Sequence, residues 1–153
     1  MDGVRLVAIS RDALARSLPE LGTMVEAWQA QALAQALGGH LALRGPPELR
    51  AEARALGEAG GRGCGGSELP TPQGGRIRAA QLTEVADVHA VLTELGVLLG
   101  EVSIALVGVA CGTDDEGVYW QCIEAMDAAD ESGDRVRGML RRLEARDAER
   151  SRG

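Results

Sequence analysis

The chain has 153 residues, 45% of them apolar and 25% charged, which is enough for one domain with a core of its own. It contains no Phe and no Lys, so all 16 basic residues are Arg, and its aromatic side chains are Trp28, Tyr119 and Trp120. So few stacking platforms, with a formal charge of −7, exclude the usual nucleic-acid reader.

Taken in chain order, residues 3–16 (GVRLVAISRDALAR) mix two signals. Val4, Leu6 and Ala8 alternate as in a strand, whereas Val7, Leu14 and Leu18 recur as in a helix. Every strong signal downstream is helical, and the segment is read as a helix. Ser17 followed by Glu20 has the form of a capping box, with Pro19 tolerated in the first turn. A second helix is expected from there to the Gly38-Gly39 pair, a natural C-terminal break. Its inward stripe is read as Leu21, Val25, Trp28, Ala32 and Ala36, with Gln29, Gln31 and Gln35 outside.

Gly45-Pro46-Pro47 forces a turn, and PELRAEARAL makes a short third helix ended by Gly57. The stretch GEAGGRGCGGSELPTPQGG, residues 57–75, holds eight glycines and two prolines. Such a chain loses much entropy on ordering, and a flexible loop is expected. The fourth helix carries the clearest pattern. Val85, Val88, Leu92, Leu95, Leu99, Val102, Leu106 and Val109 alternate at spacings of three and four, an unbroken heptad stripe. Val91, Leu98 and Ala105 widen it to a core-facing surface. Gly96, Gly100 and Ser103 form a lane of small residues beside it, where another backbone can approach. Thr83 and Asp87 are both candidates for the N-cap. The apolar run from Leu95 to Cys111 is short for a bilayer span and is interrupted by Glu101, so a buried bundle helix is expected rather than a membrane helix.

In GVACGTDDEGVYWQCIEAMDAADESGDR, Thr113 and Glu116 have the spacing of a second capping box, and Asp114 and Asp115 fall in a first turn that favours negative charge. These acids are thereby assigned to starting a helix. The fifth helix shows a heptad of Tyr119, Cys122, Met126, Ala129, Gly133, Val136, Leu140 and Leu143. Its register passes Ser132-Gly133 unshifted, so one long helix is expected, fraying past Leu143 into a polar tail at 147–153. The chain is therefore expected to be an all-α bundle of about five helices. Residues 1–146 would form one domain, the fourth and fifth helices a long antiparallel hairpin.

Charge is unevenly placed. Residues 1–78, 79–131 and 132–153 carry net charges of +1, −11 and +3, and the middle segment has no Arg at all. Such blocks can pair with one another, but solvated helix faces are the plainer expectation. No secretory signal is visible, and three cysteines without disulfide-like spacing fit a reducing cytoplasm.

Several chemistries lack their residues. Neither His40 nor His89 has a Glu three residues before it, which a helical-bundle di-metal site requires. Neither TDDEG nor DAADESGD follows the calcium-loop pattern, and no Cys-x-x-Cys pair is present for zinc. Gly61-x-Gly63-x-x-Gly66 matches a dinucleotide fingerprint in form, but no strand precedes it. A chain without Lys has no ordinary P-loop, and no serine elbow occurs. Cys64, between two glycines and two residues from Arg62, is the one thiol with a setting that suits reactivity. Trp120, next to a heptad position, is the best anchor for an interface or pocket, with Tyr119, His89 and Trp28 as companions.

The segments GPPELRAEARALGEAGGRGCG and LLGEVSIALVGVACGTDDEGVYWQCIEAMDAADESGDRVRGMLRRL resemble an uncharacterised family of small helical proteins from high-GC bacteria. The resemblance spans most of the chain outside 67–75 and the last few residues. That family has no assigned activity, so it implies no catalytic residues and no cofactor. The expectation is a non-enzymatic cytoplasmic interaction or regulatory protein that self-associates, with protein partners and neither nucleic acid nor membrane. The alternative is a module binding a small molecule or metal ion in a pocket near Tyr119 and Trp120.

Overall fold

The computed structural model describes residues 1–64 and 77–152, and within them the chain is an all-α bundle. Five α-helices are present among the described residues: α1 (Gly3–Arg16), α2 (Leu21–Arg44), α3 (Arg50–Cys64), α4 (Val88–Gly112) and α5 (Glu116–Arg152). Short 3-10 turns at Pro47–Leu49 and Arg78–Gln81 precede α3 and follow the undescribed stretch. Of the expected loop at 57–75, residues 65–75 lie outside the described part.

The first segment is a helix because Asp2 starts it. Its carboxylate accepts the Val4 N–H at 3.1 Å and also the Ala86 N–H at 3.0 Å, which ties the start of α1 to the segment before α4. These donors hold the Asp2 carboxyl below its usual range, the Ala86 bond being the largest influence. Just ahead of the helix, Asp2 forms an isolated bridge with Glu84.

α2 departs from the sequence reading in three ways. Ser17 does not cap it: its hydroxyl donates back to the Leu14 carbonyl at 2.7 Å and ends α1 instead. Glu20, at φ 63, occupies the N-cap position with no side-chain capping bond. The helix then runs past Gly38-Gly39 to Arg44, because the glycines mark a crossing and not an end. A Cβ on Gly38 would stand 2.4 Å from the Gly57 nitrogen, and one on Gly60 would stand 2.5 Å from the Gln35 nitrogen. Backbone presses on backbone at both places, which only glycine allows. For the same reason α3 does not stop at Gly57 but continues through Gly63 to Cys64.

Nor is α2 a helix with one apolar stripe. It is buried nearly all round from Ala27 to Leu41, with α1, α3, α4 and α5 on different sides of it. Leu21 is exposed, and Val25, Trp28 and Ala36 are half-buried; only Ala32 of the expected stripe is fully inside. Gln29 and Gln31 are buried, whereas Gln35 is exposed as expected. The two buried amides have work to do. Gln31 Oε1 accepts the Ser132 hydroxyl of α5 at 2.8 Å, and Gln29 Oε1 accepts the Arg78 N–H at 3.1 Å. Arg78 also pairs with Glu26, both largely shielded from water, and thereby fixes the second 3-10 turn against α2.

The hairpin forms as its heptads direct. Asp87 is the N-cap of α4, accepting the Ala90 N–H at 3.0 Å, so Val85 lies just ahead of the helix. Leu92, Leu95, Leu99, Val102, Leu106 and Val109 are all buried. α5 runs antiparallel to it, as the pairings His89 with Glu144, Gly96 with Val136 and Ser103 with Asp130 record. The capping box at Thr113 does not form. Thr113 ends α4, and Asp115 starts α5 by accepting the Gly117 N–H at 2.8 Å and the Val118 N–H at 3.3 Å. α5 is continuous through Ser132-Gly133 and remains helical to Arg152, beyond the expected point of fraying. Arg142 and Arg146 support that extension by pairing with Glu52 at 3.1 Å and Glu48 at 3.6 Å at the start of the third helical segment. Three of the central acids find Arg from the first half of the chain, Arg11 bridging Glu94 and Glu101 and Arg62 meeting Glu131.

Candidate interaction surface

The residues singled out in the sequence do not converge on one place. Tyr119 and Trp120 sit on the first turn of α5, both exposed, with their rings edge to face at 5.3 Å between centroids. His89 is on the first turn of α4, exposed, 3.8 Å from Glu144. Those two turns lie at opposite ends of the antiparallel hairpin, about 35 Å apart by the helical rise. A shared pocket of Tyr119, Trp120 and His89 is therefore absent.

Trp28 and Cys64 do come together. The Trp28 ring N–H donates to the Cys64 carbonyl at 3.2 Å, and the Cys64 thiol reaches back to the Trp28 carbonyl at 3.7 Å. They share one wall of an open cleft of about 460 Å³ with Ala32, Gln35 and Ala79. Here the thiol is not primed for attack. Burial pushes it up to about 11, whereas a nucleophilic cysteine needs its thiolate stabilised by a nearby positive charge. Cys122 is fully buried, and burial, with the Glu20 charge second, raises it too. Among the described residues no group of three or more His, Cys, Asp or Glu is placed to hold a metal ion.

Sequence reasoning missed the other side of α4. The heptad stripe faces inward, and a second stripe on the same helix faces out. Ile104 is 75% exposed, Val107 48% and Val97 40%, and between and beyond them Gly100, Gly108 and Cys111 are exposed as well. Of the lane of small residues expected here, Gly96 and Ser103 turn toward α5, and Gly100 alone faces outward. A Cβ at Gly100 or Gly108 would meet nothing within 4 Å. This face carries no charge. The two acids of the helix, Glu94 and Glu101, turn toward α1, where Arg11 holds them at 2.9 and 2.7 Å. Those carboxylates in turn raise the Arg11 guanidinium further above its already high value. The signal was present in the sequence: after Val88, α4 has two acids and no Arg in 25 residues, more apolar surface than one buried stripe consumes.

Beside this face, along α1, run two adjoining clefts of about 340 Å³ each that share Leu14 and Ala105. The result is a ridge of β-branched side chains next to a shallow apolar trough, on a surface otherwise rich in charge. α4 is also long and apolar enough to cross a bilayer, and only a third of its most apolar window is buried in the bundle. No curated protein and no solved structure matches the chain. Residues 1–142 match the model of DUF6099, a family of unknown function, and the chain belongs to that family.

Proposed function

We propose that the protein is a non-enzymatic cytoplasmic interaction protein whose contact surface is the outward face of α4. One observation carries this reading: a helix whose apolar residues encircle it is covered by the bundle on one side only, leaving Val97, Ile104 and Val107 in water. Contiguous exposed apolar surface of this kind marks a binding face in soluble proteins. The alternative of a bilayer is disfavoured by the neighbouring helix, which sets Glu124, Asp127 and Asp130 on an exposed acidic stretch alongside. A photo-reactive amino acid placed at Ile104 should give a discrete adduct in living cells that one placed at Asp127 does not. Equal labelling at the two positions removes the reading.

A second reading, small-molecule binding, is favoured by the cleft between Trp28 and Cys64, which is mainly apolar with one amide, Gln35, at its edge. With Trp120→Tyr removing the other indole, Trp28 fluorescence reports directly on that cleft. A metabolite panel that leaves both the emission and the melting temperature unchanged disposes of it.

A further inference from the structure

We infer that the occupant of the α4 face is a helix of another protein, apolar along one side and carrying Arg or Lys along the adjoining edge. This rests on the interaction reading and adds the chemistry of the partner. Val97, Gly100, Ile104, Val107 and Cys111 follow one another at spacings of three, four, three and four, and all five are exposed. They form a second heptad row on α4, about 21 Å long, turned away from the bundle. A helix laid along such a row meets an apolar or small residue at every turn. A Cβ at Gly100 would meet nothing within 4 Å, so a neighbour has room to come close there.

The neighbouring helix supplies the charge. On α5, Glu116, Trp120, Ile123, Asp127 and Asp130 are spaced four, three, four and three, so they lie along one side. Asp130 fixes where that side falls, because its carboxylate accepts the Ser103 hydroxyl at 3.2 Å. Ser103 is three residues from Gly100 and four from Val107 on α4. An apolar row and an acidic row therefore run side by side. Elsewhere surface carboxylates meet Arg: Glu131 has Arg62, Asp134 has Arg137, and Glu52 and Glu48 have Arg142 and Arg146. In the α5 row this stops. Among the described residues Glu116 and Asp127 have no ion-pair partner, and Asp130 has only a hydroxyl. Residues 79–131 hold eleven acids and no Arg, so the surrounding sequence supplies no counter-charge.

A partner with Arg or Lys on the matching edge completes these pairs at the rim of the apolar contact, where charge sets partner choice and speeds encounter. Trp120, 55% exposed and packed edge to face with Tyr119, stands in the same row and offers its indole to a guanidinium. The opposite edge of the apolar row is different, since Arg11 already sits between Glu94 and Glu101. The pull is thus on one side, and the partner's basic edge has a defined place. A second copy of the chain does not fit. Its α4 has no Arg, and its α5 acids would meet these acids. Its Arg-rich C-terminal segment turns Val136, Met139 and Leu143 into its own bundle and has no such apolar row to offer. An anionic lipid surface is repelled by the same carboxylates.

The test uses the full chain and two synthetic helical peptides of about five turns, alike in a Leu seam and differing by Arg or Glu along one edge. Wild type should bind the Arg peptide about tenfold or more tightly than the Glu peptide, and less tightly as salt rises. Asp127→Arg with Asp130→Arg should invert that preference while circular dichroism shows the fold intact. Ile104→Gln should weaken the Arg peptide by about tenfold or more, the loss of one aliphatic side chain from the contact. In cells, the adduct formed through a photo-reactive residue at Ile104 should, on digestion and sequencing, carry a segment of another protein with aliphatic residues at heptad spacing and Arg or Lys among them. Equal binding of the two peptides, binding of neither, or Arg-peptide binding indifferent to Ile104→Gln overturns the inference. So does an adduct with lipid or with a second copy of the chain. A discrete Ile104 adduct with an acidic or neutral protein segment leaves the interaction reading standing and removes only the basic partner. Loss of the Ile104-specific adduct removes both.

Discussion

The crossing of α2 with α3 and the outward face of α4 are built from the same material, glycine and aliphatic residues on a helix, and they end in opposite circumstances. At the crossing, backbone nitrogens stand within 2.4 to 2.5 Å of where a methyl group would be on Gly38 or Gly60. On α4, Gly100 and Gly108 have nothing within 4 Å. The comparison teaches that a helical glycine is not a stop signal. It is a place where something can come close, and only the fold says whether that something belongs to the same chain.

Substitution separates the two regions most sharply. Gly60→Leu should destabilise the protein by about 3 kcal/mol or more, because an inserted side chain meets backbone that cannot move aside. Gly108→Ala should do the reverse in the monomer, raising stability by up to about 1 kcal/mol through helix propensity alone. Chemical denaturation of the two variants at low concentration checks both signs, and a destabilised Gly108→Ala monomer would break the contrast. A smaller effect lies at the interior seam: Ser132→Ala should cost about 1–3 kcal/mol by leaving the Gln31 carbonyl oxygen buried without its donor. Removal of the Asp115 cap should cost about 1 kcal/mol, and Thr113→Ala clearly less, since Asp115 holds the first N–H groups of α5.

The cysteines sharpen the comparison chemically. Cys111, on the open face, should alkylate first; Cys64 should react slowly at pH 8, because its thiol is held protonated up to about 11; Cys122 should wait for unfolding. Mass spectrometry of timed alkylation gives the order, and a fast Cys64 would revive its candidacy as a reactive group. The smallest expected effect concerns acid. The Asp2 carboxyl is lowered in the folded state, so it contributes stability above its unfolded value of about 3.9. That contribution is lost as pH falls below this value through the folded one. Asp2→Asn should therefore flatten the acid limb of the unfolding curve slightly and leave stability near pH 7 lower by the same small amount.

Much of the architecture was legible from periodicity. The inward stripe of α4, the unbroken run of α5 past Ser132-Gly133 and the antiparallel hairpin all follow from aliphatic residues recurring on one side of a helix. The errors have a common cause. At helix ends the same local residue types serve two purposes. Ser17 and Thr113 resemble N-caps but close the preceding helices, while Asp115, one of several adjacent acids, makes the cap. Gln29 and Gln31 resemble a solvent face but are inside, because α2 has neighbours on every side, and the side-chain oxygen of each accepts a hydrogen bond there while the Gln31 amide nitrogen is left without a partner among the described residues.

By itself, then, the order of residues determined the class of structure, the hairpin and the inner face of its long helices, since burying an apolar stripe of helical period has few solutions. It also showed which common catalytic and metal motifs the chain lacks. Tertiary structure alone decided which helix lies at the centre, which glycines are crossings, that Trp28 meets Cys64 while His89 and Trp120 lie far apart, and that α4 has a second apolar side left over. Those outcomes depend on how many neighbours each helix acquires, a quantity that no stretch of sequence contains.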